Sequence, residues 1–337
     1  MKPASRVRWR EVAEELGRAI PRDALHPAVV KWAEHGRRRT WGIAFSGGAD
    51  SVALLLLVWA HWPAMRKRLH ALHFNHRLRG RASDADERFC RAVCRSLGVR
   101  FTCGKWKQAR ADASEAEARE ARLAFFDAHV RCVWSGHQLD DVAETMLMRL
   151  SRGSGVGGLA APRPVQSWRK GGVRLRPLLT LERDFLREKL EAAGACWRED
   201  ASNAQANFLR NRVRAEVLEN WKQVTRDRSL LRGVARSREL LEEDGVALDI
   251  WAQRVTRVGV KGELDLQPLL ALPTAIQRRA LHLWLAHHRI AGLSSQAFDS
   301  LLRDLVARRV TKHSVGDGKL ASIGATELRI AAATARK

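Results

Sequence analysis

Residues 43–51 read Ile-Ala-Phe-Ser-Gly-Gly-Ala-Asp-Ser and join two apolar runs, the second of which covers residues 52–59. This order is typical of a buried strand, a glycine turn and the first turn of a helix. Backbone N–H groups in such a turn converge on one point, and the helix dipole favours negative charge there. Gly47 and Gly48 allow the backbone to approach an anion because no Cβ intervenes. The segment therefore predicts a phosphate-binding loop.

The side chains of this loop add hydrogen-bond donors and a candidate metal ligand. Ser46 and Ser51 carry hydroxyl groups, and the Asp50 carboxylate suits a divalent cation held against phosphates. The common ATPase pattern Gly-x4-Gly-Lys-Ser/Thr occurs nowhere in the chain. A serine-capped helix after a glycine turn is the structural alternative, since globular proteins contain many of them.

The composition favours a polyanionic partner. The chain has 337 residues, enough for two domains that each bury a hydrophobic core. Its 60 lysines and arginines against 37 acidic residues give a net charge of +23, and nucleic acid is the leading partner for such a surface. The alternative is a solubility bias or the codon bias of an arginine-rich genome, since net charge alone does not separate these explanations.

Cysteine usage and hydropathy indicate a cellular location. The five cysteines are odd in number and include no Cys-x-x-Cys pair, which predicts buried free thiols in a reducing compartment. The first 20 residues are charged and amphipathic, unlike a secretory signal. No apolar run reaches the roughly 18 residues that cross a membrane. We therefore expect a soluble, cytoplasmic protein without a membrane partner.

From residue 41 onward, short apolar runs alternate with longer amphipathic ones. Strands are predicted at residues 41–45, 69–75, 99–103 and 130–135, and helices at 50–61, 83–97, 113–128 and 139–150. This alternation predicts the α/β class, a doubly wound parallel sheet with helices on both faces. Ligands bind beyond the carboxyl ends of such strands. Three polar clusters stand at those ends and should face one crevice: Ser46-Gly-Gly, residues 73–76 and Gly136-His137.

The alternation stops near residue 225. Before that point we predict a Gly/Pro-rich loop over 151–180 with a short strand near 173–175, then helices at 181–193 and 207–221. After it, helices are predicted at 226–256, 275–289 and 295–309, with a hairpin around 316–330. We expect a helical extension over 1–40, a catalytic domain over 41–222 and a smaller, mainly helical domain over 223–337. The basic stretch 210–238 is either a solvated helix face or a contact to a phosphate backbone.

Seven further polar motifs follow the glycine loop in a fixed order. They are LHFNHRLR (72–79), EAREAR (117–122), GHQLDDVAET (136–145), RLSRGSGVGGL (149–159), RPLL (176–179), WREDASN (197–203) and FLRNRVR (208–214). Together with SGGADS (46–51), this set closely resembles the tRNA(Ile)-lysidine synthetases of the PP-loop ATP pyrophosphatase superfamily. The resemblance covers about residues 40–220, and the length is similar to that of the short form, with one C-terminal domain.

The resemblance implies a ligase acting on RNA. Members of the family adenylate carbon 2 of the wobble cytidine in a CAU-anticodon tRNA(Ile), using ATP and releasing pyrophosphate. The ε-amino group of free L-lysine then displaces AMP, and the resulting lysidine changes the codon read from AUG to AUA. The implied cofactors are ATP and Mg²⁺. The implied partners are tRNA(Ile), which the C-terminal domain would help to bind, and free lysine. A homodimer is plausible.

The resemblance also implies roles for individual residues. The nucleotide would be bound by Phe45, Ser46, Gly47, Gly48, Ala49, Asp50, Ser51, His73 and Asn75, with Asp50 also holding Mg²⁺. The catalytic set would be Asp50, His137, Asp141, Glu144, Arg122, Arg119 and Arg210.

The spacing of the carboxylates fits recognition of a cationic substrate. Asp141 and Glu144 are three residues apart and should share a helix face that binds lysine. His137, four residues before Asp141, is expected on that same face, where it would contact ATP or assist proton transfer. The three arginines would stabilise phosphoryl charge or bind the lysine carboxylate. A polar helix N-terminus is the structural alternative for these carboxylates.

The chain departs from the family pattern at two positions. The usual Arg-Tyr of the third helix is Arg122-Leu123, and the chain has no tyrosine, although its 12 tryptophans are candidates for packing or base stacking. Leu218-Glu219 stands where Leu-Pro is usual, which leaves the domain junction open. Two rivals stay open as well. A thiolase needs catalytic cysteines, and a non-catalytic RNA-binding relative would keep the basic surface without lysine-dependent release of pyrophosphate.

Overall fold

The computed structural model describes residues 7–36, 39–76, 81–106, 114–168, 171–199, 209–225, 229–290 and 292–332. The chain divides into two compact units, Met1–Glu239 and Leu240–Lys337. In this described part of the chain, no helix combines the length and the apolar character that crossing a bilayer requires.

The first unit is built on a six-stranded sheet. Its strands are β1 Trp41–Ala44, β2 Leu69–Asn75, β3 Arg100–Lys105, β4 Cys132–Trp134, β5 Val165–Trp168 and β6 Gly172–Leu175. Their order is β3-β2-β1-β4-β6-β5, and every neighbouring pair is parallel except β5 with β6. The predicted doubly wound parallel sheet is confirmed. The strand order reverses between β1 and β4, so the ligand crevice of this fold class lies beyond those two strands.

Eight α-helices precede residue 200 among the described residues. They are α1 Trp9–Ala19, α2 Pro27–His35, α3 Ala49–His61, α4 Arg81–Leu97, α5 Glu115–His129, α6 Leu139–Leu150, α7 Val156–Leu159 and α8 Arg183–Ala192. Helix α3 is apolar all round because it packs between the sheet, α1 and α8. Trp9 and Leu16 of α1 are fully buried in the same core. The N-terminal helices therefore contribute to the core of the first unit.

Tryptophan fills much of this core. The rings of Trp41, Trp62 and Trp134 lie with centroids 4.6–5.7 Å apart, and Trp41 and Trp134 are fully buried. The packing role proposed for tryptophan in a chain without tyrosine is thus seen at these three positions. The opposite face of the sheet, under α5, holds a much smaller apolar cluster built around Leu72 and Phe126.

A helix with an irregular middle contains residues 209–214 of the last motif, FLRNRVR. It consists of α9 Leu209–Arg212, a π-helical segment Val213–Leu218 and α10 Glu219–Thr225. Leu218 is fully buried against Leu139 and Val142 of α6. The widened segment lies against α6, and π-helical turns frequently occur at functional sites. The division between the two units falls within α11, Ser229–Val255.

The second unit combines helices with a small antiparallel sheet. Its elements are β7 Leu264–Asp265, α12 Thr274–His287, α13 Ser295–Val306, β8 Thr311–Gly316, β9 Lys319–Ile323 and β10 Glu327–Ala332. The strand order is β7-β10-β9-β8. The predicted hairpin is therefore part of a four-stranded sheet. Its tight turn uses positive φ angles at Gly316, Asp317 and Gly318.

Part of the basic stretch 210–238 is turned inward. Arg210, Arg214 and Lys222 contact carboxylates of α6, and Arg238 is 3% exposed. Arg212 and Arg236 are exposed instead, so the solvated face and the phosphate contact both stay predictions for the rest of the stretch. Arg210, Arg214 and Lys222 join the α9–α10 helix to the site described next.

Candidate functional site

The glycine loop turns sharply after β1 and caps α3. Gly47 has a φ of 92°, and Gly48 is the N-cap residue of α3. The Ser51 hydroxyl accepts from the Gly47 N–H at 3.0 Å and donates to the Gly48 carbonyl at 2.9 Å, while Ser46 Oγ lies 3.4 Å from the Gly48 nitrogen. Both serines therefore bond the N–H groups that a phosphate would use. The bond from the Gly48 N–H to Ser46 is longer and therefore weaker than the bond from the Gly47 N–H to Ser51, so a phosphate oxygen would replace it more easily.

Neighbouring segments leave no room for side chains at two glycines of the crevice. A Cβ on Gly47 would lie 3.0 Å from Cys90 Sγ, and a Cβ on Gly136 would lie 2.7 Å from the carbonyl oxygen of Asp50. The turn after β4 is thus packed directly on the backbone of the glycine loop. This contact brings two of the three predicted polar clusters together.

The end of β2 supplies the third cluster. His73 is 5% exposed, and its Nδ1 donates to the Phe45 carbonyl at 2.9 Å. Burial lowers the pKa of His73, against the opposing hydrogen bond to Phe45, so the ring is neutral at pH 7. Asn75 is 2% exposed beside it. His73 therefore braces the loop backbone, and adenosine contacts by His73 and Asn75 stay a prediction.

Asp50 is the residue in the crevice best suited to bind a cation. Burial and the negative charge of Asp141 raise its pKa to about 6, although Arg183, Arg187 and Arg214 oppose the shift. Its Oδ1 atom is buried without a hydrogen-bond partner. An orphaned carboxylate oxygen at a helix N-terminus fits Mg²⁺. No group of three His, Cys, Asp or Glu residues in the described ranges forms a metal site by itself. A magnesium ion here would thus complete its shell with phosphate oxygens and water, as it commonly does.

Helix α6 begins at Leu139, two residues later than a helical face that includes His137 requires. Gln138 is the N-cap, and a capping box joins its backbone N–H to Asp141 Oδ2 at 2.9 Å. His137 precedes the cap and lies outside the helix. The expectation that His137 shares a helical face with Asp141 and Glu144 is therefore wrong, because face-sharing at four-residue spacing applies only within a helix.

His137 instead lies among arginines. Its Nδ1 is 3.1 Å from the Ser135 hydroxyl. Burial, followed by the charges of Arg176, Arg210, Arg122 and Arg119, holds the pKa of His137 well below its ordinary value. The imidazole is neutral at pH 7 as a result. The charges of Arg119, Arg122 and Arg210 therefore all act on one histidine, and the catalytic roles of these arginines stay a prediction.

Glu144 is the centre of an arginine cluster. Its side chain is fully buried and accepts hydrogen bonds from Arg183 at 2.9 Å, Arg210 at 2.8 Å and Arg214 at 2.6 Å. Burial alone would raise the pKa of Glu144, but the hydrogen bond from Arg214 and the charge of Arg210 outweigh it and lower the pKa to about 2. Glu144 is therefore ionised at every physiological pH.

Two aspartates extend the network along the first turn of α6. Arg210 bridges to Asp141 Oδ1 at 2.7 Å, and Lys222 donates to Asp140 Oδ1 at 2.7 Å. Asp140 also accepts from the Arg183 backbone N–H at 2.9 Å. The sequence reasoning missed Asp140, Lys222 and Arg183. The adjacency of Asp140 to Asp141 was the one available signal.

Some predicted motif residues lie outside the described ranges. These are residues 77–79 of the LHFNHRLR motif, residues 200–203 of the WREDASN motif and Phe208 of the FLRNRVR motif. The described part of WREDASN contacts the glycine loop: the Arg198 backbone N–H donates to the Gly47 carbonyl at 2.9 Å, and Arg198 Nε donates to Asp86 at 2.8 Å.

The cysteines are suited to packing and not to catalysis. All five are free, and all except the half-buried Cys103 are buried. Burial raises the pKa of Cys94, Cys103 and Cys132 to about 12, and that of Cys90 well above its usual value. A thiol of such high pKa is a poor nucleophile at neutral pH. The geometry therefore gives no support to the thiolase alternative.

Comparison with known proteins agrees with the motifs. The PP-loop domain model matches residues 24–221, and the TilS substrate binding domain model matches residues 264–315. The chain is 36% identical over 300 residues to the tRNA(Ile)-lysidine synthase of Pseudomonas putida, which covers 83% of this chain and 68% of that protein. It is 39% identical over 253 residues to the tRNA(Ile)-lysidine synthase of Geobacter sulfurreducens, with coverages of 70% and 52%.

The chain thus spans between 52% and 68% of the length of these two curated relatives. A solved structure, the U34-tRNA thiolase NcsA from Methanococcus maripaludis with its 4Fe-4S cluster, is similar at a TM-score of 0.49 and 17% identity. That similarity covers 71% of this chain and 80% of the thiolase chain. The matched PP-loop domain and the identity to the curated synthases together show that this chain belongs to the tRNA(Ile)-lysidine synthase family.

Proposed function

We propose that this chain ligates free lysine to carbon 2 of the wobble cytidine in a CAU-anticodon tRNA(Ile), using ATP and releasing AMP and pyrophosphate. The observation that carries the proposal is the buried Asp50 carboxylate at the glycine loop, whose Oδ1 has no hydrogen-bond partner and whose pKa is raised by burial and by the negative charge of Asp141. Two carboxylates held this way suit a reaction that brings together a magnesium–nucleotide complex and an ammonium group.

The first step requires a stable pyrophosphate leaving group. The N–H groups of Gly47 and Gly48, together with the N-terminus of α3, are the donors for it. Asp50 would hold Mg²⁺, which neutralises the charge that develops between the phosphates. The arginines near His137 favour the negatively charged adenylate after the pyrophosphate has left.

The second step requires recognition of lysine. Glu144 already accepts bonds from three arginines, whereas among the described residues Arg210 is the one side-chain cation bonded to Asp141 within 3 Å. Asp141 is therefore the better contact for the lysine ammonium group. Because burial raises the pKa of Asp141, a cationic ligand would stabilise its ionised form. The neutral His137 is the candidate to accept the proton that the amine loses on attack.

The partners follow from the same reasoning. A net charge of +23 favours binding of tRNA, and the match of residues 264–315 to a substrate-binding domain supports a contribution from the second unit. A cytoplasmic location and a homodimer are further parts of this proposal.

Incorporation of labelled lysine into a CAU-anticodon tRNA(Ile) transcript tests the site. We expect Asp141→Asn, which keeps the shape of the side chain, to reduce incorporation at least 100-fold, with the larger effect at low lysine concentration. The matched control is Asp184→Asn, an exposed acid in the first turn of α8, which should leave incorporation unchanged. Equal activity of wild type and Asp141→Asn would keep the enzyme but refute Asp141 as the lysine contact.

A further inference from the structure

Two arginines on β6 and just beyond its end are buried on the same side of the sheet. Arg174 and Arg176 are two residues apart in extended backbone, so their side chains point to one face. Each is 6% exposed. The nucleotide and lysine roles described above use neither of them as a direct contact, although the charge of Arg176 reaches His137.

The Arg174 guanidinium stacks on an aromatic ring, but two of its N–H donors have no hydrogen-bond partner. Its guanidinium lies over the ring of Trp168 on β5, 3.4 Å from the ring centroid. The Trp168 indole N–H donates to Asp127 of α5 at 2.6 Å, so this carboxylate is engaged by the tryptophan. The Nε and Nη2 atoms of Arg174 are buried without a hydrogen-bond partner. Two adjacent donors of one planar group are thus left open.

Arg176, beside it, also has a guanidinium donor without a hydrogen-bond partner. Its Nη1 donates to the Arg163 carbonyl at 2.7 Å, and its Nε is buried without a partner. Arg119 of α5 contributes further positive charge to both side chains. Burial, with the charges of Arg119 and other arginines, lowers the pKa of Arg174 and Arg176 to about 10, so both are still charged at pH 7.

A comparison within the chain separates stacking from ligand binding. Arg66 also lies 3.4 Å above a tryptophan ring, that of Trp59, and its Nε donates to the Trp59 carbonyl at 3.0 Å. Arg66 is therefore a structural stacked arginine whose Nε has an internal partner. Arg174 has the same stacking and lacks that partner. Leaving donors of a buried cation open costs free energy, which an external acceptor would recover.

We propose that Arg174 and Arg176, with the ring of Trp168 as a platform, form a site for a phosphate group on the α5 side of β6. A planar guanidinium with two open, adjacent donors matches two phosphate oxygens. The phosphate comes either from the RNA backbone or from the nucleotide. The RNA source rests on the proposed function, whereas the nucleotide source does not.

The test compares Arg174→Gln with Arg66→Gln. Both variants lose one charge and one tryptophan stack, but only the first removes open donors. We expect Arg174→Gln to weaken binding of its phosphate ligand about tenfold and Arg66→Gln to change it less than twofold. Binding is measured separately for tRNA without nucleotide and for inorganic pyrophosphate without tRNA, each by titration at several salt concentrations.

The two arms identify the source. Weaker binding of tRNA alone, with the salt slope reduced by about 0.7–0.9, assigns an RNA phosphate. Weaker binding of pyrophosphate assigns a phosphate of the nucleotide. Equal effects of Arg174→Gln and Arg66→Gln in both arms would overturn the site. If the wild type binds no tRNA, the proposed function fails, and the pyrophosphate arm then decides the site alone.

The melting temperature of a further variant distinguishes a ligand-binding arginine from one that serves only packing. Arg174→Met removes a buried cation with open donors and keeps an apolar stem over Trp168, so its melting temperature should equal or exceed that of the wild type. A clear fall would mean that Arg174 serves packing, which contradicts the proposal. If Arg174→Gln does not fold, Arg174→Lys takes its place in the binding test. This variant keeps the positive charge but loses the two adjacent donors of the guanidinium, and we expect it to bind the phosphate ligand at least threefold more weakly than the wild type.

Discussion

Replacing Glu144 by glutamine should destabilise the first unit strongly. The carboxylate is fully buried, accepts bonds from three arginines and has a pKa lowered from 4.5 to about 2. A shift of this size corresponds to about 3 kcal/mol of interaction that favours the ionised form. Removing one partner of a buried ion pair also costs about 3–5 kcal/mol, because the remaining charges stay buried. We therefore expect a loss of about 3 kcal/mol, or about 6–12 °C in melting temperature.

The stability that Glu144 contributes should depend on pH. The pKa of Glu144 is lower in the folded than in the unfolded chain, so its contribution is complete above about pH 4.5 and is lost as the pH falls towards 2. Calorimetric melting of wild type and Glu144→Gln should differ by the full amount at pH 7 and by progressively less below pH 4.5. Glu191→Gln, which changes an exposed acid of α8, is the matched control and should lie within 0.5 kcal/mol of wild type. Equal melting of Glu144→Gln and wild type at pH 7 would refute the reasoning.

Three further substitutions probe the crevice and its support. Gly136→Ala places a Cβ 2.7 Å from the Asp50 carbonyl and should lower kcat/KM at least tenfold by displacing the loop, whereas Gly155→Ala, with open space around it, should be neutral. Lys222→Met leaves the buried carboxylate of Asp140 without its cation and should cost about 2–3 kcal/mol in urea unfolding, a result that equal midpoints would contradict. The pKa of Asp50 is raised from 3.8 to about 6, so its ionisation opposes folding; the penalty grows from about pH 4 to about pH 6 and is complete above that value. Asp50→Asn should therefore raise stability at pH 7.5 by about 1–2 kcal/mol, with little gain at pH 4, while it abolishes the Mg²⁺ dependence of nucleotide binding.

The local parts of the fold were predictable because they depend on neighbours in sequence. Periodicity alone predicted β2 with its observed limits and α6 with its observed ends. The three polar clusters stand at the carboxyl ends of adjacent parallel strands, as the α/β alternation implied. Strand β5 was missed because a four-residue edge strand inside a proline-containing loop has too little pattern to detect.

The electrostatic part of the site was not predictable in the same way. Glu144 and Arg214 are 70 residues apart and Asp140 and Lys222 are 82 apart, so no spacing rule connects them. The position of His137 was misjudged because the four-residue face rule was applied to a residue that precedes the predicted start of α6 at residue 139; the capping box between Gln138 and Asp141 confirms that start. Open donors on Arg174 are likewise a property of the packed strand and cannot be read from residue type.

The most direct test of the account is ATP-dependent transfer of labelled lysine by the wild-type chain to two transcripts, a tRNA(Ile) and a methionine tRNA that share the CAU anticodon. The account predicts incorporation into the isoleucine tRNA, with one AMP and one pyrophosphate released for each lysine, and none into the methionine tRNA. Cleavage of ATP to pyrophosphate with no lysine in either tRNA would contradict lysidine synthesis and point to another nucleophile in the same crevice.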